Sequence, residues 1–261
     1  MNTTTRDTIN WFGTYTLTIK ETLRFLRVYH QTIIAPIVSA MIFLAIFYLS
    51  IGSHKHNINN VPFLDFMGYG LIMMSMIQNA FGNSSSSLIM SKVIGYIVDL
   101  LVPPLRGMEI VIAYSIGSVI RAVIVGVGVA LAMLPFIDFH IYHPLLLVFF
   151  VLAACTLMAK LGILAGLIAN SFDQMAAVTN YVIVPLSFLS GTFYSVKSLP
   201  VILQYINHVN PFFYIIDGFR YCLTDVADSN ITAGVVILIA GNIFMFYLTT
   251  HLINIGWRLK S

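Results

Sequence analysis

Long apolar runs separated by short polar segments dominate the pattern of this chain. A bilayer core about 30 Å thick is crossed by roughly 20 apolar helical residues, so the runs predict six membrane spans. The second run is short and rich in methionine, a residue that fills irregular gaps in packed cores. The pattern therefore predicts an all-α, polytopic membrane protein. Its six predicted spans are residues 33–51, 66–82, 108–134, 144–168, 175–194 and 231–255.

An amphipathic segment precedes the first span. Apolar side chains recur at three- and four-residue steps from Phe12 to Leu26, whereas Glu21 and Arg24 fall away from them. Aromatic residues and cations in this arrangement are typical of membrane interfaces. Residues 1–30 are therefore predicted to form a helix along the cytoplasmic membrane surface. A simple basic flank for the first span is the alternative.

A second interfacial helix is predicted between the second and third spans. Four serines at 84–87 provide capping hydroxyls and predict a break after the second span. Apolar side chains then recur at helical spacing as far as Leu101, and paired prolines end the pattern. The predicted helix covers residues 88–102 and includes Lys92 and Asp99.

The stretch before the last span contains signals for a re-entrant hairpin. Pro185 lies within the fifth apolar run, where it removes a backbone donor and predicts a kink. After the turn Asn210-Pro211, an apolar run begins at Phe212 that is too short to cross a bilayer and too apolar for an open loop. A hairpin that dips into the membrane explains both facts, provided that protein covers its backbone.

Four short motifs follow one another in this stretch. They are Leu189-Ser190-Gly191-Thr192-Phe193-Tyr194, then Ser198-Leu199-Pro200, then Asn210-Pro211-Phe212 with Tyr214, and finally Asp217-Gly218-Phe219-Arg220. Their order resembles the signature of type-2 ABC exporter permeases. In that family the segment forms a re-entrant hairpin at the external mouth of the transport pathway. From the residues alone, a structured external loop is the alternative.

The resemblance implies a role for each of these features. The N-terminal helix would lie beside an ATPase, and the helix of residues 88–102 would be the coupling helix that docks on an ATP-binding subunit. The chain would be a homodimer that exports an amphipathic, lipid-linked, glycan or drug-like substrate. The residues assigned to coupling are Lys92, Tyr96 and Asp99. The residues assigned to the outer gate are Phe193, Tyr194, Asn210, Pro211 and Phe212.

Composition and charge agree with a membrane protein. Of 261 residues, 59% are hydrophobic and only 9% charged, far below the quarter or so that is typical of soluble domains. The basic residues lie mainly in segments that six spans place on the side of the N-terminus, which the positive-inside rule makes cytoplasmic. We therefore expect a multi-pass protein of the bacterial inner membrane with both termini cytoplasmic. Its partners would be membrane lipids rather than nucleic acid.

Two cations fall within predicted spans. Arg121 lies near the middle of the third run, where a cation is costly and usually faces the bundle interior, a cavity or a partner group. A structural bond to backbone carbonyls is the alternative role. Lys160 is nearer the cytoplasmic end of the fourth run and is expected to extend its ammonium group towards the interface.

Catalytic chemistry is scarce in the sequence. No Gly-x-x-x-x-Gly-Lys-Ser/Thr phosphate loop occurs, so ATP and Mg²⁺ are expected on a partner subunit and no cofactor in this chain. An integral membrane enzyme or a metal-binding protein is the alternative function, although solvated loop histidines are the simpler interpretation. Acidic residues are missing from the middle of the spans, which disfavours a proton-coupled carrier. The histidines concerned are His54, His56, His140, His143 and His208.

A single domain of residues 1–261 is predicted, because no repeat, linker or charge run divides the chain. Within it, residues 1–30 form the interfacial helix and residues 31–261 the six-span bundle.

Overall fold

The computed structural model describes residues 9–51, 57–98 and 102–258. Two short strands, Asn57–Ile58 and Val61–Pro62, pair antiparallel in the loop before the third helix. All other regular structure in the described residues is helical, which confirms the all-α class. The helices are α1 (Trp11–Leu26), α2 (Ala35–Ile51), α3 (Phe63–Ile94), α4 (Gly107–Met133), α5 (Pro144–Ile168), α6 (Phe172–Val178), α7 (Val184–Leu189), α8 (Val201–Val209), α9 (Pro211–Thr224) and α10 (Ile231–Asn254).

Four segments of the described residues are long and apolar enough to cross a membrane: His30–Ser50, Gly107–Met133, Pro144–Ile168 and Ile231–Asn254. They coincide with the first, third, fourth and sixth predicted spans, so the polytopic class is confirmed. Helix α3 and the pair α6–α7 occupy the positions of the second and fifth predicted spans. The count of six spans stays a prediction.

The break predicted at residues 84–87 is wrong, because α3 continues through the serines as far as Ile94. Serine hydroxyls inside a helix can bond to backbone carbonyls instead of capping a new helix. Ser84 Oγ donates to the carbonyl oxygen of Ala159 in α5, 2.7 Å away. Helix α5 approaches closely at Gly162, where a Cβ would lie 2.2 Å from Ser84 Oγ. Ser84 therefore joins α3 to α5.

The methionines of α3 fill the core of the bundle. Met67 and Met73 are fully buried, and Met76 lies against Gly126 of α4. A Cβ at Gly126 would be 2.5 Å from the Met76 sulfur, so only glycine permits this approach. The expectation that these methionines serve packing is confirmed. Helix α3 packs against α4, α5 and α9 and is the central element of the fold.

The fifth predicted span is broken near its middle. A π-helical turn, Thr179–Ile183, separates α6 from α7, and Pro185 lies in the first turn of α7. Proline lacks the N–H that a regular α-helix would use, and its ring clashes with the preceding turn. The irregularity predicted around Pro185 is therefore present.

Helix α1 packs on α4 with a face that includes both polar and apolar residues: Thr14, Leu17, Glu21 and Phe25. The apolar stripe predicted for the membrane is exposed, with Phe12 81% exposed and Leu26 38%. The buried face includes Glu21, which is only 1% exposed. A Cβ on Gly117 of α4 would lie 2.9 Å from the Glu21 Cβ, so the two helices are closely apposed there. The prediction that this helix is amphipathic is confirmed. The placement of Glu21 on a solvated face is wrong, because Glu21 is buried against α4.

Candidate functional site

Helices α8 and α9 form the hairpin that precedes the last span. Helix α9 is largely buried against α3 and α5, whereas α8 exposes apolar residues such as Val209, which is 85% exposed. At ~1.5 Å per residue, the 14 residues of α9 extend ~21 Å, too short for a bilayer. A helix too short to cross a bilayer therefore lies where the hairpin is predicted, and the re-entrant form of the hairpin and its depth in the membrane stay predictions.

Asn210 connects the two helices of the hairpin and is 4% exposed. Its Oδ1 accepts a hydrogen bond from the backbone nitrogen of Phe212, 3.1 Å away, which caps α9. Its Nδ2 donates to the carbonyl oxygen of Leu186 at 3.2 Å and to Ser190 Oγ at 2.9 Å. These bonds pair groups left free at the end of α7 and the start of α9, as the sequence predicts for this turn.

Arg220 is the buried cation of the Asp-Gly-Phe-Arg motif, with 3% of its surface exposed. Its Nη2 donates to the carbonyl oxygen of Gly191 at 2.7 Å, and its Nε to that of Phe66 at 3.3 Å. The guanidinium carbon also lies 3.5 Å from the centre of the Phe66 ring. Arg220 thereby fixes α9 to α3 and to the turn after α7.

Asp217 fixes the loop that leads into α10 to helix α9. Its carboxylate accepts bonds from the backbone nitrogen of Asp228 at 3.0 Å and from that of Ser229 at 2.7 Å. Asp228 in turn accepts a 2.6 Å bond from Ser195 Oγ. The motif acidic residue therefore holds two loops against the hairpin.

The turn after α7 depends on glycine. Gly191 has a φ of 77°, a conformation that L-residues rarely adopt. The turn also approaches α3 so closely that a Cβ on Gly70 would lie 2.6 Å from the carbonyl oxygen of Thr192. The Tyr194 hydroxyl lies 3.2 Å and 3.1 Å from the carbonyl oxygens of Phe188 and Leu189, at the end of α7. Tyr194 supports this turn from within the protein.

An aromatic cluster joins this turn to α2. The ring centre of Phe193 lies 5.3 Å from that of Phe47, 5.3 Å from that of Phe188 and 6.1 Å from that of Phe43. Of the predicted gate residues, Phe193 is therefore the one in contact with the first span. Phe212 is packed in the main core with 2% exposure. We call Phe43, Phe47, Phe188 and Phe193 the aromatic cluster.

A cavity of about 320 Å³ lies between α2 and α3, beside the aromatic cluster. Phe43 is part of its wall, and five of the other ten lining residues are polar, although most of the wall surface is apolar. Two of the polar residues in the wall, Gln78 and Asn79, lie near the end of the second apolar run, where the sequence alone shows a polar pair. The polar side chains that line the cavity are Gln31, Ser39, Ser75, Gln78 and Asn79.

Arg121 reaches this cavity wall through Asn79. Its Nη2 donates to Asn79 Oδ1 at 2.9 Å, and among the described residues its Nε has no partner. The Nε2 of Gln78, which lines the cavity, is also buried without a partner in the described part of the chain. Arg121 therefore bonds to a side chain, and not to the backbone carbonyls that were its alternative partners. Unsatisfied polar groups beside a cavity are available to a polar ligand or to water.

Two of the three predicted coupling residues, Lys92 and Tyr96, lie at or just beyond the opposite end of α3. Lys92 Nζ donates to the carbonyl oxygens of Leu167 at 2.9 Å and Ala169 at 2.6 Å, so it caps the C-terminus of α5. Tyr96 is 58% exposed beyond the left-handed cap Gly95, whose φ is 89°.

The predicted coupling helix of residues 88–102 is therefore divided. Its first half belongs to α3, and a helical segment begins again at Ile97. Asp99 lies outside the described residues.

A network that the sequence did not reveal ties α1 to α3. Ser87 Oγ donates to Glu21 Oε1 at 2.8 Å, and Arg24 Nε donates to Glu21 Oε2 at 3.2 Å. Arg24 Nη2 also donates to the carbonyl oxygen and the Oδ1 of Asn83, at 2.8 and 3.0 Å. In the sequence, the four serines at 84–87 and the helical pattern after them predict a break between two helices, and they give no sign of a bond to α1.

The metal-binding alternative gains no support from the described residues. Within residues 9–51, 57–98 and 102–258, no three histidine, cysteine or acidic side chains are placed to hold a metal ion. His143 Nε2 lies 2.9 Å from Asp225 Oδ1, and its ring stacks on Tyr221. His54 and His56 lie outside the described residues.

A bundle of long apolar helices, with the shorter pair α8–α9 before the last of them, defines a polytopic membrane protein. A comparison with known protein families shows which kind of membrane protein this is. The family described as "ABC-2 type transporter" matches residues 13–224. The chain belongs to the ABC-2 type transporter family.

The similarity extends to curated proteins over nearly the whole chain. The inner membrane transport permease YadH of Escherichia coli K12 is 32% identical over 251 residues, which cover 96% of this chain and 98% of that protein. The protein of the same name from Shigella flexneri has the same identity and coverage. This chain is accordingly a multi-pass protein of the bacterial inner membrane and a transport subunit rather than an enzyme.

Proposed function

We propose that this chain is the transmembrane subunit of an ATP-driven exporter, and that two copies act with two copies of a separate ATP-binding subunit. The substrate would be an amphipathic, lipid-linked, glycan or drug-like molecule. By this proposal all six predicted spans cross the membrane, both termini are cytoplasmic, and the hairpin α8–α9 lies at the external mouth. Membership of the ABC-2 family supports the partnership, because ATP-binding cassette subunits drive such permeases.

The observation that carries the proposal is the cavity beside the aromatic cluster. On the proposed topology α2 runs outwards, so the cavity residues Gln31 and Ser39 precede the cluster residues Phe43 and Phe47 along the route. The cavity would then lie on the cytoplasmic side, with the aromatic cluster closing the external side. A largely apolar cavity with a few polar groups, closed outwards by aromatic rings, has the form expected of a site for an amphipathic substrate.

Coupling would pass along α3. This one helix lines the cavity at Met74 and Gln78, continues without a break to Ile94, and ends beside the exposed Tyr96. An ATP-binding subunit that docks around residues 96–102 would move α3 as one unit, and the outer half of α3 forms part of the cavity wall. Lys92 would then act indirectly, by holding α3 to the end of α5.

The external closure is testable without knowledge of the substrate. A Ser39→Cys variant places a thiol in the cavity, and a membrane-impermeant maleimide added outside intact cells reports whether the aromatic cluster seals it. We expect little labelling with Phe193 present and strong labelling when Phe193→Ala is added. Phe244→Ala, at an aromatic residue 63% exposed on α10, is the matched control and should leave the cavity sealed.

Two further measurements test the orientation of the chain in the membrane and its dependence on a separate ATPase. Tyr96→Cys should react only from the cytoplasm and Val209→Cys only from outside, since both side chains are exposed. The purified chain should hydrolyse no ATP until an ATP-binding partner is added. External labelling of Ser39→Cys with Phe193 intact, or ATP hydrolysis by the isolated chain, would contradict the proposal.

A further inference from the structure

A second cavity, of about 420 Å³, lies on another side of the bundle, between α4, α5 and α10. Its walls are mostly apolar, and Ile116 and Leu152 at its rim are 43% and 46% exposed. It shares no lining residue with the cavity beside α2. Because these helices are membrane spans, the opening faces the acyl chains of the bilayer.

Lys160 lines this cavity and is only 8% exposed, so the expectation that it extends to the interface is wrong. Its Nζ donates to Asn242 Oδ1 at 2.7 Å and, more weakly, to the Asn242 carbonyl oxygen at 3.4 Å. An ammonium group has three donors, so one donor stays available. No carboxylate of the described residues pairs with Lys160, and a cation at this depth needs a counter-charge.

Ser115 provides a second polar group that points to a ligand. It lines the same cavity, is 6% exposed, and its Oγ has no hydrogen-bond partner among the described residues. A serine buried in a helix usually bonds to a carbonyl or to a neighbour. A free hydroxyl and a free ammonium donor, both on one apolar cavity, match an anionic group attached to a hydrocarbon chain.

The two polar groups lie at the same depth in the bundle. Ser115 lies eight residues after the start of α4 and Lys160 eight residues before the end of α5. At ~1.5 Å per residue, both are about 12 Å from the helix ends that the basic residues assign to the cytoplasm. We infer that this cavity is a binding site for one anionic phospholipid of the cytoplasmic leaflet, with its phosphate at Lys160 and Ser115 and an acyl chain along the walls.

Native mass spectrometry of the delipidated full-length protein tests this site, with palmitoyl-oleoyl phosphatidylglycerol and the zwitterionic phosphatidylcholine as probes. Both lipids carry a phosphate, but the choline cation of phosphatidylcholine cancels its charge, so the buried ammonium group of Lys160 should bind phosphatidylglycerol about tenfold more tightly. Lys160→Met should abolish this preference. Lys20→Met, the same substitution at an exposed position on α1, should retain it.

A second variant keeps the test valid if loss of Lys160 impairs folding. Ile116→Trp fills the cavity from its rim without touching the bond between Lys160 and Asn242, and should weaken both lipids several-fold. Equal binding of the two lipids to the unaltered protein would overturn the inference. So would a preference that survives Lys160→Met, or unchanged binding in a folded Ile116→Trp variant.

Discussion

Two buried polar networks hold this bundle together at its opposite ends, and the sequence encodes them differently. Most bonds of the hairpin network join residues that are close in the chain, such as Asn210 with Ser190 and Arg220 with Gly191, 20 and 29 positions apart. The bond from Arg220 to Phe66, 154 positions away, is an exception. The network around Glu21 and Ser87 joins residues 66 positions apart. A network built within one hairpin therefore appears as ordered motifs, whereas one built between distant helices does not.

The networks also differ in their exposure to solvent. Arg220 is 3% exposed, whereas the side chain of Arg24 is 26% exposed. Removing one partner from a fully desolvated cluster leaves buried groups unpaired, which costs more than the loss of a contact that water can replace. We therefore expect the hairpin network to contribute more to stability than the network at α1.

The largest effect is expected for Arg220→Met, which removes two hydrogen bonds and the contact with the Phe66 ring. The carbonyl oxygens of Phe66 and Gly191 would be left buried without these donors. We expect a loss of about 3–4 kcal/mol in the free energy of unfolding. Thermal unfolding in detergent measures the change.

Lys197→Met is the matched control for Arg220→Met. Lys197 lies 3.5 Å from Asp228, and its own side chain is 62% exposed, although that of Asp228 is only 2% exposed. In the variant Asp228 keeps its bonds from Ser195 Oγ and the backbone nitrogen of Val196, and water can replace the exposed ammonium group. The loss of stability should therefore be far smaller than for Arg220→Met. If both variants unfolded alike, the buried network would not be what holds the hairpin.

The long spans could be predicted because apolar length alone determines them. The predicted fourth span agrees with α5, Pro144–Ile168, at both ends, since Pro144 begins the helix where its missing N–H costs nothing. The end of α3 could not be predicted in the same way. The serines there have hydroxyls that suit either a cap or a cross-helix bond, and only the position of α5 decides between them.

Among the predicted site residues, too, a role set by neighbouring residues could be predicted, whereas a role set by distant packing could not. The task of Asn210 follows from local chemistry, because a turn before proline leaves specific backbone groups to pair. The burial of Phe212 and the contact of Phe193 with α2 depend on the packing of elements far apart in the chain. Their roles in an outer gate stay predictions. Glu21 shows the same limit, since its sequence position indicated a solvated face.

Asn210→Leu is expected to have the next largest effect. It removes the cap of α9 and the donor to Leu186 and Ser190. We expect a loss of about 2 kcal/mol, with faster hydrogen exchange confined to α8 and α9, because the spans pair their own backbones.

Asn230→Leu, at the exposed N-cap of α10, is the control for Asn210→Leu. Asn230 also accepts a bond from a helix nitrogen, that of Ala233 at 3.2 Å, but it joins no second element. It should therefore cost less and leave exchange in the hairpin unchanged. Exchange in α8 and α9 that is as slow with leucine at position 210 as with asparagine would mean that this turn does not hold the hairpin.

The smallest effect is expected for Glu21→Gln, and it tests the comparison of the two networks directly. Glutamine keeps an oxygen for Ser87 Oγ but loses the charge that faces Arg24. Arg24 is partly solvated and keeps its bonds to Asn83, so its guanidinium would not be left unpaired.

We expect a loss of about 1 kcal/mol for Glu21→Gln in the same thermal unfolding assay. A double-mutant cycle with Ser87→Ala should give only a small coupling free energy, because glutamine keeps the bond from Ser87 Oγ. A loss as large as that of Arg220→Met would mean that exposure does not rank the networks. In that case the burial of Glu21 itself, at 1% exposure, would dominate over the partial solvation of its partner.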